Sequence, residues 1–286
     1  MTNTDPGAPE YEYDWQNPDR KSFDVGRVVS KTFGALRNNL GPFLLLTLVG
    51  SGIPMMLFSL WPVLLGVGDG INIFDPTWTE DVEWEGIIGI AIAVYVAWIL
   101  LAIIMYGALI QMSINALNER DVKIGDALRT GLRYYFPILG IMIIYIICMF
   151  AGLMLLIIPG IFIALGWALV LHVKVIEGET ITGSFSRAWS LSKGYKRWIL
   201  LMMFIFGVLG AVIGLIFQLP VLFFGNSQTA ILEGESMSFW VANAIGTGLA
   251  QMVSAALTYV GLTATYLEIR RVKEGVESSN LADIFN

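Results

Sequence analysis

Apolar residues in this chain come in long unbroken runs rather than in alternation with polar ones, and the runs are too long for buried strands of a soluble domain. Windows of about 19 residues place membrane segments near Leu40 to Leu65, Gly86 to Leu117, Pro137 to Ile158, Gly160 to Val175, Trp198 to Phe224 and Met237 to Tyr266. Several of these exceed the 18 or so charge-free residues a helix needs to cross about 30 Å of hydrocarbon. Lipid also requires every backbone polar group to be satisfied, which leaves helices or a closed barrel. Continuous rather than alternating apolarity selects helices. The pattern therefore predicts an all-α membrane protein with about six transmembrane helices.

The connections carry a second pattern. All 17 Lys and Arg residues fall in four segments: five in Arg20 to Arg37, four in Arg120 to Arg133, five in Lys174 to Arg197 and three in Arg270 to Lys273. The intervening connections, Gly66 to Glu85, the Pro159-Gly160 turn and Gly225 to Ser236, hold none. Their charges are Asp69, Asp75, Glu80, Asp81, Glu83, Glu85, Glu233 and Glu235. By the positive-inside rule the basic side is cytoplasmic and both termini lie there. A missed or extra span would put basic residues outside, so the same count supports six.

Basic connections leading into the first, third and fifth spans resemble one another. Val25, Val28, Val29, Thr32, Phe33 and Leu36 share one helical face, with Asp24, Arg27 and Lys31 opposite; Ile124, Ala127, Leu128, Gly131, Leu132 and Tyr135 repeat the arrangement against Lys123, Asp126 and Arg133. A weaker copy begins at Gly183-Ser184-Phe185-Ser186-Arg187. Such helices either lie in the membrane interface or pack on the ends of the bundle. The expected architecture is three transmembrane hairpins, each preceded by a short amphipathic interfacial helix. It divides the chain into a polar acidic tail at 1–21, a six-helix membrane domain at 22–275 and a C-terminal tail at 276–286.

Composition agrees, with 56% hydrophobic and 14% charged residues and a mean hydropathy of +0.70. One histidine and one cysteine make a dedicated metal site improbable and leave no Ser-His-Asp set to assemble. His172 and Cys148 read as structural. Asp75, Glu80, Asp81, Glu83 and Glu85, with Trp78 and Trp84, read as a solvated acidic loop rather than a calcium site. No cofactor is expected. Charged residues are absent at mid-depth of the spans, which disfavours proton coupling. The polar interior candidates are the amides Gln111, Asn115, Asn243 and Gln251, with Gln218. On the basic side, Arg129, Arg133, Arg187, Lys193 and Arg197 are candidate contacts for lipid headgroups or a protein partner. Ala242, Gly246, Ala250, Ser254 and Thr258, spaced by four, and Gly210 with Gly214, offer small faces for packing inside the bundle or between copies of the chain.

The stretch Ile157-Ile158-Pro159-Gly160-Ile161, then Glu177-Gly178-Glu179, Arg187-Ala188-Trp189-Ser190-Leu191-Ser192-Lys193-Gly194 and the closing Tyr266-Leu267-Glu268-Ile269-Arg270-Arg271 resembles the glycerophosphoryl diester phosphodiesterase membrane-domain family, in its stand-alone YciC-type form. The likeness covers about Ser22 to Gly275. It implies a multi-pass protein of the bacterial inner (cytoplasmic) membrane and no phosphodiesterase activity, since that activity belongs to a separate soluble barrel in the fused enzymes. The expected function is a non-enzymatic module that binds lipid or a partner protein in envelope organisation; the alternative is a transporter or channel for a lipid-like or small neutral substrate. Membrane lipids are the expected partners, with a membrane or peripheral protein and a homo-oligomer as further options, and no nucleic acid.

Overall fold

A computed structural model describes residues 22–60, 84–155, 157–224 and 237–275. Expectations for the two tails and for Asp69, Asp75, Trp78, Glu80, Asp81, Glu83, Glu233 and Glu235 fall outside these residues. Within them every element is helical: α1 (Val25–Asn38), α2 (Leu40–Thr47), a π-turn (Leu48–Gly52), α3 (Ile53–Ser59), α4 (Trp84–Leu117), α5 (Ile124–Arg133), α6 (Tyr135–Leu155), α7 (Ile157–Trp167), α8 (Val170–Glu177), α9 (Ile181–Ser192), α10 (Lys196–Phe224) and α11 (Met237–Glu274). Six stretches are long and apolar enough to cross a membrane: Leu40–Ser59, Ile88–Leu117, Tyr135–Met154, Ile158–Glu177, Lys196–Leu219 and Phe239–Glu274. They match the six apolar runs to within a few residues except at the last, where α11 continues to Glu274. The extension is an amphipathic stretch whose charges are paired, as described below.

Each of the short basic helices is placed by local chemistry. The Asp24 side chain accepts the Arg27 N–H at 3.0 Å and caps α1, and Thr180 does the same for α9 through the Gly183 N–H at 3.0 Å, each satisfying a donor that the first helical turn leaves free. The apolar face of α1 buries Val28, Thr32, Ala35 and Leu36 against α11 and α4. Helix α5 packs on α4 through Ala127 and Gly131. Leu132 and Phe33, also on these apolar faces, stay exposed. Helix α9 lies along α8 and α7. The three short helices thus pack on the bundle.

Helix α11 is the hub. It packs along the full length of α10, against both helical halves of the first span and the π-turn between them, and against α1 and α4. Glycines bring the backbones close: a Cβ on Gly246 would lie 2.8 Å from the Phe217 carbonyl oxygen, and one on Gly248 would lie 2.9 Å from that of Gly52. Ser254 donates to the Gly210 carbonyl at 3.2 Å. Of the small residues of the fifth and sixth spans, Gly210, Gly246 and Ser254 are used within the bundle, as in other close membrane helix contacts, whereas Gly214 has no neighbour within 4 Å and Thr258 is exposed. The first span lies chiefly on the sixth, and the third and fourth lie on each other, with Gly152 facing Gly160.

The buried core is concentrated toward the basic end. Ile103, Leu109, Ile110 and Met112 of α4, Ile138 and Ile141 of α6, Leu169 and Val173 near α8, Ile199 and Met202 of α10, and Val260, Tyr266 and Ile269 of α11 are all fully enclosed. By contrast Ile90, Ile92, Val94 and Val96 of α4, and Phe204, Leu215 and Ile216 of α10, are exposed, as lipid-facing side chains of a spanning helix are.

Gly131 makes the tightest approach to another backbone, because a Cβ there would lie 2.2 Å from the Ile104 carbonyl oxygen, and backbone cannot give way as a side-chain tip can. Gly131→Ala is expected to lower stability by ~1–3 kcal/mol. Gly34→Ala, in open space on α1, is expected to raise it by up to ~1 kcal/mol through helix propensity. Thermal unfolding of both variants in one detergent checks the pair.

Candidate functional site

At the basic end the charged residues of three helices form a network. Arg187 of α9 donates from Nε to Glu177 at the end of α8, 2.8 Å, and from its terminal nitrogen to Glu274 of α11. Arg270, one turn back on α11, holds Glu274 at 2.8 Å and approaches Glu177 at 3.7 Å. Tyr266 donates its hydroxyl to Glu177. Two cations and two carboxylates thus neutralise each other where α8, α9 and α11 meet.

A second cluster joins the start of α1 to the last turns of α11. Glu268, 5% exposed, accepts from Arg271 at 2.9 and 3.1 Å and from the Asp24 backbone N–H at 3.3 Å, with Arg27 at 3.6 Å. Arg27 also pairs with Asp24 at 3.1 Å. Both clusters use the same amphipathic turn of α11, Tyr266 to Glu274. Positions 266, 270 and 274 share the face toward α8 and α9, while 268 and 271 face α1, as 3.6-residue spacing dictates.

Backbone groups are closed off in the same region. Lys273 donates to the Lys193 carbonyl at 3.2 Å and to that of Ser190, satisfying acceptors that the end of α9 leaves open. Buried Lys174 donates to the Glu179 carbonyl, and Gly178 in the left-handed region, φ 68°, ends α8. That conformation is why a glycine stands between the two glutamates.

The electrostatics follow from these contacts. Burial alone would lower the Arg187 guanidinium; hydrogen bonding and charge from Glu177, then from Glu274, outweigh it and hold the group above its ordinary value. The Arg27 backbone N–H, working against desolvation, holds the Asp24 carboxyl below its ordinary value. A carboxyl depressed on folding contributes stability above its ordinary titration range and loses it as pH falls through the lowered value. His172 lies beside the network, buried and stacked on Tyr266 with centroids 6.0 Å apart. Neither of its ring nitrogens has a partner among the described residues.

The basic side-chain candidates divide. Arg187 is committed to the network, whereas Arg129, Arg133, Lys193 and Arg197 are exposed. Arg133 lies over Tyr134 at 5.9 Å and Arg197 over Trp198 at 5.3 Å, arrangements that direct cations while leaving them in contact with water. The amide candidates are not brought together. Gln111 donates to Asn115 at 3.3 Å within α4, toward the basic side of the Tyr106–Tyr259 contact. Asn243 and Gln251 lie on its other side, Gln251 exposed and Asn243 half-buried. Gln218 bonds Thr247 between the fifth and sixth spans at 2.7 Å. No group of three or more His, Cys, Asp or Glu side chains suited to a metal ion occurs among the described residues.

Sequence reading quoted Glu177, Arg187, Tyr266, Glu268, Arg270 and Arg271 as motif residues without joining them. Asp24, Arg27 and Glu274 were not singled out as partners. The available signal was the alternation of acids and bases along Tyr266 to Glu274 at helical spacing. Comparison of the chain with known protein families, with curated proteins and with solved structures found no match in any of the three.

Because Glu177 is nearly enclosed and receives Arg187, Arg270 and Tyr266, removing one donor leaves a charge poorly paired. Arg187→Gln is expected to lower stability by ~1.5–3 kcal/mol, and Arg187→Gln with Glu177→Gln to recover part of that loss. A double-mutant cycle on thermal unfolding reads the coupling.

Proposed function

We propose that this is a multi-pass protein of a bacterial cytoplasmic membrane, with both termini on the cytoplasmic side, acting without chemistry of its own as a lipid- or partner-binding module in envelope organisation. The observation that carries the reading is the division of labour among cations at the basic end. Arg187, Arg270 and Arg271 neutralise internal carboxylates, while Arg129, Arg133, Lys193 and Arg197 stand exposed at that end. Exposed cations beside apolar helices meet the anionic surface of a cytoplasmic leaflet at about 1 kcal/mol each.

The glutamates of the network are each engaged by cations, so none is left as a general base. The dispersal of Gln111 and Asn115 from Asn243 and Gln251 gives no support to a polar transport path. The resemblance to the phosphodiesterase membrane-domain family belongs with this proposal, as a second and weaker support for a non-catalytic membrane role.

Topology has a direct test. In a Cys148→Ala background, cysteines at Asp75 and Glu233 are expected to react with an impermeant maleimide only from the periplasmic side, and Lys123→Cys only from the cytoplasmic side. Mixed labelling would overturn the orientation. For binding, native mass spectrometry of the protein from membrane nanodiscs is expected to show enrichment of anionic phospholipid. Joint substitution of Arg129, Arg133, Lys193 and Arg197 by Gln should reduce that enrichment by up to roughly 10²–10³-fold. Bulk lipid composition in the unsubstituted protein, with no protein partner retained, would sink the module reading.

A further inference from the structure

The pairing of α10 with α11 defines a ruler along the bundle axis. From the acidic side to the basic side, Gln218 bonds Thr247, Ser254 bonds Gly210, Phe206 lies against Gly261, and Lys273 bonds the Lys193 carbonyl. Lys196, at the start of α10, therefore belongs to the basic end, level with the last charged turn of α11.

The third and fourth apolar helices do not fit this ruler as an upright crossing. Phe162 lies five residues beyond the start of α7, the helix that leaves the apolar turn. In an upright hairpin it would sit near the acidic surface, at the level of Phe217. At about 1.5 Å per residue, that level is about 32 Å from Lys196, several times the reach of a lysine side chain. Yet the Lys196 ammonium lies 3.1 Å from the centre of the Phe162 ring and donates to the Phe162 carbonyl at 3.3 Å. Trp189 of α9 meets the same ring edge-on, with centroids 5.6 Å apart, and Ser192 donates to the Gly166 carbonyl at 3.0 Å. Helix α7 is thus fixed to the basic end at Phe162 and Gly166.

The chemistry of the turn agrees with this placement. From Leu153 to Ile163 the sequence has no polar side chain and no aromatic residue suited to a membrane surface, being Leu-Met-Leu-Leu-Ile-Ile-Pro-Gly-Ile-Phe-Ile. The other connections on the acidic side contain carboxylates. Met154 and Ile158 are 89% and 79% exposed, which water would penalise and acyl chains would not.

We propose, resting on the membrane reading above, that α6 and α7 form a re-entrant hairpin. It enters and leaves on the basic side, and its apolar end, with Met154, Ile158 and Phe162, is an interaction surface for the acyl chains of the adjoining leaflet. Lys196 and the charged turn of α11 mark the headgroup level beside it. The chain then crosses the bilayer four times, with its termini on the same side as before. One leaflet receives an apolar wedge that the other does not.

The test uses the full chain in native membranes with Cys148→Ala. Phe162→Cys paired with Lys196→Cys is expected to form a disulfide under mild oxidation, and Ile158→Cys and Met154→Cys to resist an impermeant maleimide from both sides. Absence of the disulfide while Gly210→Cys and Ser254→Cys still cross-link, or labelling of Ile158→Cys from either side, would overturn the hairpin. Asp75→Cys and Lys123→Cys serve as references. If those two label from the same side, the membrane orientation fails, while the Phe162 to Lys196 disulfide still reports the hairpin's position.

Discussion

Close packing along one face of the last helix is the constraint on which the other elements depend. Helix α11 gives up side-chain volume at Gly246, Gly248 and Gly261, where neighbouring backbone or aromatic rings occupy the space a Cβ would need. In hydrocarbon, burial of apolar surface does not drive helices together, so association rests on van der Waals contact and interhelical hydrogen bonds. The glycine positions maximise the first, and Ser254 to Gly210 and Gln218 to Thr247 supply the second. The π-turn in the first span contributes from the other side, presenting Gly50 and Gly52 to Met105 and Gly248.

The charged end solves a different problem. Helix α11 leaves its apolar stretch with Glu268, Arg270, Arg271, Lys273 and Glu274 in close succession, several of them buried or nearly so. Each finds an opposite charge or a helix carbonyl contributed by α1, α8, α9 or α11 itself. Buried pairing of this kind adds less net stability than its short distances suggest, because desolvation offsets much of the attraction. Its consequence is positional. The start of α1, the end of the fourth apolar helix and the end of the sixth are held at one level, and the exposed cations are left free around them.

Sequence reading located the six apolar stretches, the one-sided distribution of Lys and Arg, the amphipathic face that carries Val28, Thr32 and Leu36, and the small faces of the fifth and sixth spans. Hydropathy, charge and helical period are properties of short windows, legible without knowing what lies opposite. The same windows give Tyr135–Met154 and Ile158–Glu177 the length and apolarity of crossings, but say nothing of the contact that brings Phe162 to Lys196. Gln111, Asn115, Asn243 and Gln251 met the same limit, being equally polar and equally placed in apolar runs, with no local sign of their separation along the bundle.

What the tertiary structure alone decided is pairing. Arg187 meets Glu177 and Glu274, Asp24 meets the last turns of α11 through Glu268, and Lys196 reaches back to Phe162. A cation in sequence is equally a candidate for lipid or for an internal carboxylate. Arg187 and Arg129 differ only in whether a glutamate from a distant helix arrives within hydrogen-bonding distance. The sequence by itself determined which stretches are apolar enough to cross a membrane and that the cations gather at one end of them; the folded contacts determined which cations remain unneutralised, because charge is carried by single residues and neutralisation requires two.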